Sequence, residues 1–210
     1  MNMDYKSLAA LVACCASLHL RADETLYTNN FEKAELDKVP SEFLVLDGAF
    51  AVKEADGNKF LELPGAPLDT FGVIFGPTVK ENISVTARAF GTKKGRRFPS
   101  FGLGLGGPAG YKIKVSPAKE KLELYKGDNV VASAPLQWES GKWISLRLFV
   151  AKKGDAWIIQ GRHWTGNEPS DWQISWEEKD SPPEGRSSVT AEPYATTPIR
   201  FDDIAVVKTP

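Results

Sequence analysis

The chain has only two cysteines in 210 residues, and they are neighbours, Cys14 and Cys15. Adjacent cysteines near the start offer no disulfide framework, so the remainder must be held by its core, which its length allows. Histidine is equally scarce: of two in the chain, only His163 lies beyond the first twenty residues. A site built from several histidines around a metal is therefore excluded there, and no H-E-x-x-H or G-x-S-x-G motif is present. Excess charge of one sign is also lacking. With 26 Lys+Arg against 27 Asp+Glu the net charge is -1, which gives no bulk basic field for nucleic acid. No apolar run reaches the roughly 20 residues needed to span a bilayer as a helix. No window of helical length carries an i, i+3, i+4 stripe.

The N-terminus reads as an export signal. Lys6 precedes an apolar stretch from Leu8 to Leu20, and Ala22 stands before Asp23 as a cleavage point. Residues 1–22 are thus expected to be removed, leaving a periplasmic or extracellular chain of residues 23–210 without cysteine. Leu11 to Cys14 (LVAC) resembles a lipoprotein cleavage box, but only six apolar residues, Leu8 to Ala13, precede Cys14. Soluble export is the favoured reading over a lipid anchor.

Beyond Leu26 the dominant period is two. Ile83, Val85, Ala87 and Ala89 alternate with Ser84, Thr86, Arg88 and Phe90. Tyr111, Ile113 and Val115 alternate with lysines, and Ile144, Leu146, Leu148 and Val150 with Ser145, Arg147 and Phe149. Each run predicts a half-buried strand. ADGN (Ala55 to Asn58), YKGDN (Tyr125 to Asn129), KKGD (Lys152 to Asp155) and SPPEGR (Ser181 to Arg186) punctuate them as turns. Roughly a dozen short strands so spaced predict an all-β domain over 23–210, a two-sheet antiparallel β-sandwich of jelly-roll type with little helix.

GLGLGG (Gly102 to Gly107) matches the G-x-G-x-x-G spacing of a dinucleotide loop. That motif needs a helix to follow. Here Pro108 and Ala109 lead into Gly110 and the alternating YKIKV, and Phe101, Leu103 and Leu105 carry period two through the motif. The segment predicts a strand with Gly102, Gly104 and Gly106 on one face. Those glycines either open a groove for a flat ligand or allow close packing.

NFE (Asn30 to Glu32) is similar to the opening strand of a secreted β-sandwich, LDGAFAVKEADGNKFLEL (Leu46 to Leu63) to its early hairpins, GKWISLRLFV (Gly141 to Val150) to a mid-domain strand and FDDIAV (Phe201 to Val206) to a closing strand. On these stretches the chain resembles the concanavalin A-like lectin/glucanase superfamily. The resemblance implies glycan binding or polysaccharide chemistry. The glucanase branch carries an E-x-D-x-x-E or E-x-D-x-E strand motif, whose carboxylates would flank a glycosidic bond. Glu35-Leu36-Asp37 supplies no third acid, and EEKD (Glu177 to Asp180) reads as a solvated loop. Many such sandwiches hold a structural calcium near their termini, for which Asp202 is the candidate ligand; no other cofactor is implied.

All six tryptophans fall between Trp138 and Trp176, and most are expected in the core. In AWIIQGRHW the outward set includes Arg162 and Trp164, and Arg88 and Arg147 sit on outward faces of their own strands. The expected ligand site is a groove where Arg88, Arg147, Arg162 and Trp164 converge beside Gly102 and Gly104. His163 is expected to be structural. Non-catalytic glycan binding is the favoured function; a polysaccharide lyase or hydrolase and a structural role in the cell envelope are the alternatives.

Overall fold

The computed structural model describes residues 22–65 and 69–210. Residues 1–21, with Cys14 and Cys15, lie outside the described residues, and with them the expectations of export and cleavage. Fifteen strands follow one another: β1 (Glu24–Asn29), β2 (Leu44–Asp47), β3 (Ala51–Ala55), β4 (Asn58–Leu63), β5 (Phe71–Val79), β6 (Ile83–Gly91), β7 (Ser100–Leu105), β8 (Tyr111–Ser116), β9 (Lys121–Lys126), β10 (Asn129–Pro135), β11 (Ile144–Lys153), β12 (Ala156–Trp164), β13 (Ile174–Glu178), β14 (Gly185–Glu192) and β15 (Ile199–Lys208). They form two antiparallel sheets. The first runs β13-β12-β11-β6-β15-β4-β3, with β1 also paired to β15; the second runs β10-β9-β8-β7-β14-β5-β2. Among the described residues helix is limited to one 3-10 turn, Pro117–Lys119, and no described helix is long and apolar enough to cross a membrane.

Period two produces the sandwich directly. Val85, Ala87, Leu146, Leu148 and Phe201 face inward from the first sheet, and Val73, Leu103, Ile113, Leu124 and Val189 from the second, all at 1% exposure or less. Each fully buried aliphatic or aromatic side chain contributes about 1.5–3 kcal/mol of transfer free energy. The sheets interlock at Gly161, where a Cβ would fall on the Ile113 side chain. Three turns fold as their residues dictate. Asp56 and Gly57 are both left-handed (φ 55 and 75) between β3 and β4, as a type I′ hairpin requires, and Gly127 and Gly154 serve β9–β10 and β11–β12. GLGLGG is strand β7 and its turn, with β8 and no helix after it.

Three local expectations fail. NFE follows β1 as a turn: Phe31 takes φ 59 and buries its ring, so the opening strand lies six residues earlier. EEKD is not all loop. Glu177 and Glu178 end strand β13, because Pro182 and Pro183 come far enough on to leave its pairing intact. Of the tryptophans only Trp157 is buried in the core; Trp138, Trp143, Trp164, Trp172 and Trp176 are half-buried.

Glu178 accepts a hydrogen bond from Lys126 Nζ, which holds its carboxyl below the usual range. At Glu123, burial would raise the value. Hydrogen bonds from Ser116 Oγ (2.7 Å), Lys119 Nζ (3.0 Å) and Tyr125 OH (3.0 Å) outweigh that and lower it. A carboxyl whose folded value lies below its unfolded one stabilises the fold when ionised and loses that contribution as pH falls through the folded value. Thermal melts between pH 3 and 7 should therefore show a steep acid limb below about pH 4. Glu123→Gln should flatten it, and parallel limbs for the two proteins would remove Glu123 from the account.

Candidate functional site

The register places Arg88, Arg147, Arg162 and Trp164 on the outer face of the first sheet. Arg147 of β11 stands opposite Arg162 of β12, and Ser145 is flanked by Trp164 and Arg88. Like charges directly opposite repel, and the chain resolves this with Glu168 from the loop after β12. Its Oε1 lies 3.0 Å from Arg147 Nη1 and also pairs with Arg162 Nη2. Arg162 Nη1 donates to the carbonyls of Pro169 (2.7 Å) and Ser170 (3.0 Å). Its guanidinium stacks 4.1 Å from the Trp172 ring centre, and Trp172 stacks on Phe149. Arg147 Nε donates to Thr86 Oγ1, and burial lowers its pKa from the usual guanidinium value, against the pull of Glu168. Arg162 is 8% exposed. These two arginines pin the loop of residues 165–173 to the sheet.

Gly102 and Gly104 do not join them. They belong to β7, and so to the second sheet, so the single groove combining arginines and glycines does not form. A Cβ at Gly102 would fall on the Ile113 carbonyl oxygen, and one at Gly104 on Ser188 Oγ, with Lys112 Cγ at 3.4 Å. The glycines let β7 lie close against its neighbours.

Asp202 is 1% exposed. Its Oδ2 accepts from Arg88 Nη2 (2.7 Å) and Asn58 Nδ2 (3.0 Å), and its Oδ1 from the Asp203 N–H (2.7 Å). A bulge between Asp202 and Ala205, with Asp203 at φ 47, turns both carboxylates toward Arg88. Asp203 Oδ2 sits 2.7 Å from Arg88 Nε, in an ion contact too bent to count as a hydrogen bond. The oxygens proposed for calcium are thus spent on a guanidinium. Among the described residues no group of three or more His, Cys, Asp or Glu side chains could hold a metal. Burial, followed by the Asp202 charge, raises the Asp203 pKa. His163 faces inward with Nδ1 2.7 Å from Gln173 Oε1 and Nε2 3.3 Å from the Gln137 carbonyl oxygen, so both ring nitrogens already face protein oxygens.

The side chains best arranged for a ligand lie elsewhere. Where the chain crosses from β10 in the second sheet to β11 in the first, residues 136–143 form one wall of an open cleft of about 820 Å³. Trp138, Trp143 and Phe98 supply rings; Gln137, Glu139, Glu120, Lys93, Lys142 and Thr165 supply polar groups. Phe98 meets Trp138 edge-on at 6.3 Å, while Trp143 packs on Phe90 and holds Arg88 5.1 Å from its ring centre. Trp138 Nε1 is buried and has no hydrogen-bond partner among the described residues. A buried unpaired indole N–H costs about 1–3 kcal/mol, a cost the fold bears at Trp138. The wall is fixed in place. Leu136 N–H donates to the Glu120 carbonyl (3.0 Å), Gly141 N–H to that of Gly91 (3.0 Å), and Lys93 N–H to Ser140 Oγ (2.9 Å). A second cleft of about 770 Å³, between Asn29, Lys33, Glu42 and Asp203, has no aromatic ring in its lining.

Alternation could not single out this site, because QWESGKW (Gln137 to Trp143) is not a strand. The available signal was two tryptophans five residues apart around Gly141, in a stretch too polar for a core segment.

No family model matches the chain, and no curated protein matches it by sequence. Solved structures do match. The carbohydrate-binding module CBM66 from Bacillus subtilis superposes with a TM-score of 0.56 at 12% identity, over 79% of this chain and 94% of that one. The potassium-bound carbohydrate recognition domain of Emp46p gives 0.58 at 13%, over 89% and 97%. The GH43 protein BlXynB from Bacillus licheniformis gives 0.57 at 11%, over 86% of this chain and 39% of that one. At such identities the likeness is one of fold alone: these domains share with the chain a two-sheet antiparallel β-sandwich.

Proposed function

We propose that this is an exported, non-catalytic glycan-binding module whose site is the aromatic cleft at the β10–β11 crossover. The observation that carries the reading is the pairing of Trp138 and Trp143 with polar side chains in one pinned concavity. A sugar ring offers an apolar face to an indole and hydroxyls to amides and carboxylates, and a wall already held in place spares the ordering cost of binding. The fold supports the reading, since CBM66 is named a carbohydrate-binding module and the Emp46p domain a carbohydrate recognition domain. The apolar segment from Leu8 to Leu20 supports export, where polysaccharides are met.

Calorimetric titration with a panel of soluble oligosaccharides tests this. At least one should bind without release of reducing ends or unsaturated products. Trp138→Ala and Trp143→Ala should each weaken it about tenfold or more. Trp138→Phe keeps an aromatic ring but loses the N–H and part of the stacking area, so it should weaken binding less than Trp138→Ala. Undiminished binding by both alanine variants, each confirmed folded by circular dichroism, would place the site elsewhere.

A further inference from the structure

A neutral sequence can still carry a local field, and one hairpin here does. Between β6 and β7 the chain reads TKKGRRF, Thr92 to Phe98, closed by a bridge in which Lys94 N–H donates to the Arg97 carbonyl (3.0 Å) and Arg97 N–H to that of Lys94 (3.1 Å). Gly95 takes φ 60 at the tip. Lys93, Lys94, Arg96 and Arg97 are all exposed. None of the four side chains makes an ion pair or hydrogen bond among the described residues, whereas most other arginines of this protein are paired with acids. Charges left unpaired and crowded on one hairpin repel one another, so the arrangement favours an anion arriving from outside.

The hairpin is continuous with the aromatic cleft. Lys93 and Phe98, at its two ends, line that cleft, and Lys142 joins them from the opposite wall. The Lys93 N–H bond to Ser140 Oγ ties hairpin and wall together. Across cleft and hairpin, five cations (Lys93, Lys94, Arg96, Arg97, Lys142) face two lining carboxylates, Glu120 and Glu139. We infer that the ligand is an anionic polysaccharide. Its rings would lie against Trp138 and Trp143 while carboxylate or sulfate groups along the same chain reach Lys94, Arg96 and Arg97. A lipid headgroup could use the cations but does not account for an indole-walled cleft opening directly beside them. A single-stranded nucleic acid could use both, with bases on the indoles and phosphates on the cations; the carbohydrate-binding fold neighbours favour the glycan, and oligothymidylate bound tighter than both polyanionic glycans would overturn it. The inference rests on the glycan reading and narrows it to one class.

The full mature protein is titrated at low and at physiological salt with polygalacturonate (carboxylate only), heparin (sulfate-rich), a neutral xylan oligosaccharide, oligothymidylate, and phosphatidylglycerol vesicles. Either polyanionic glycan, or both, should bind tighter than xylan, and which one does identifies the anionic group. The triple variant Lys94→Ser, Arg96→Ser, Arg97→Ser should weaken that binding on the order of tenfold to a hundredfold at low salt and flatten its salt dependence. It should leave any xylan binding unchanged. These positions are exposed and their side chains have no bonding partners among the described residues, so the variant should melt at the wild-type temperature. Xylan bound as tightly as both polyanions would overturn the inference and leave the glycan reading standing. Binding of none of the three glycans would overturn both. Vesicle binding that survives Trp138→Ala, with no glycan bound, would assign the hairpin to a membrane surface instead.

Discussion

Gly102→Ala should destabilise the protein by about 4 kcal/mol or prevent its folding, at the upper end of what single substitutions do. The added Cβ would fall on the backbone oxygen of Ile113, and backbone in the middle of a sheet cannot swing aside as a side-chain tip can. To make room, β7 would have to separate from β8 around the pair Gly102–Lys114. Gly104→Ala should cost less, because its obstacle is Ser188 Oγ, a rotatable hydroxyl. Gly154→Ala is the control: nothing lies within 4 Å of its Cβ position, and only the left-handed φ of 62 penalises it, by about 1 kcal/mol. Urea melts of the three variants should rank them in that order. A loss under about 1 kcal/mol at Gly102 would show that β7 and β8 do not approach as described, and would return the glycine face to consideration as a groove.

Arg162→Ala should cost about 3 kcal/mol and change glycan binding little, since of the loop it pins only Thr165 lines the cleft. The guanidinium serves two carbonyls, one carboxylate and the Trp172 ring at once. Its removal strands Glu168 beside Arg147 alone and frees the loop of residues 165–173. For a chain of this size the melting temperature should fall by about 6–12 °C. Lysine should not rescue it, since one ammonium cannot span three acceptors and stack. If Arg162→Ala instead kept its melting temperature and lost ligand, the outer face of the first sheet would be the binding site after all.

The residues that forecast correctly did so through local rules. Ile83 to Ala89 and Ile144 to Val150 alternate because one side of each strand is buried, and ADGN turns tightly because Asp and Gly tolerate left-handed φ. What escaped was set by partners distant in sequence. Gly102 and Arg162 each occupy the predicted kind of strand face, but which sheet a strand joins depends on pairings such as β7 with β14 and β11 with β6, and period two is silent on that. Alternation also predicts Asp202 and Asp203 on opposite faces; one extra residue in the β15 bulge brings both to Arg88. The candidate cleft combines a hairpin, a 3-10 turn and a crossover, none of which has a period to read. The net charge of -1 hid the basic hairpin because a sum over the chain carries no positions.

The central claim is that the glycan lies against Trp138 and Trp143. Each of the six tryptophans gives one indole N–H signal in a nitrogen-15 correlation spectrum, so a titration with the best-binding oligosaccharide reads all six positions together. The account predicts large saturable shifts for Trp138 and Trp143, while buried Trp157 and the Arg162-stacked Trp172 stay in place. Saturable binding that moves Trp164 or Trp172 and leaves Trp138 and Trp143 still would contradict it.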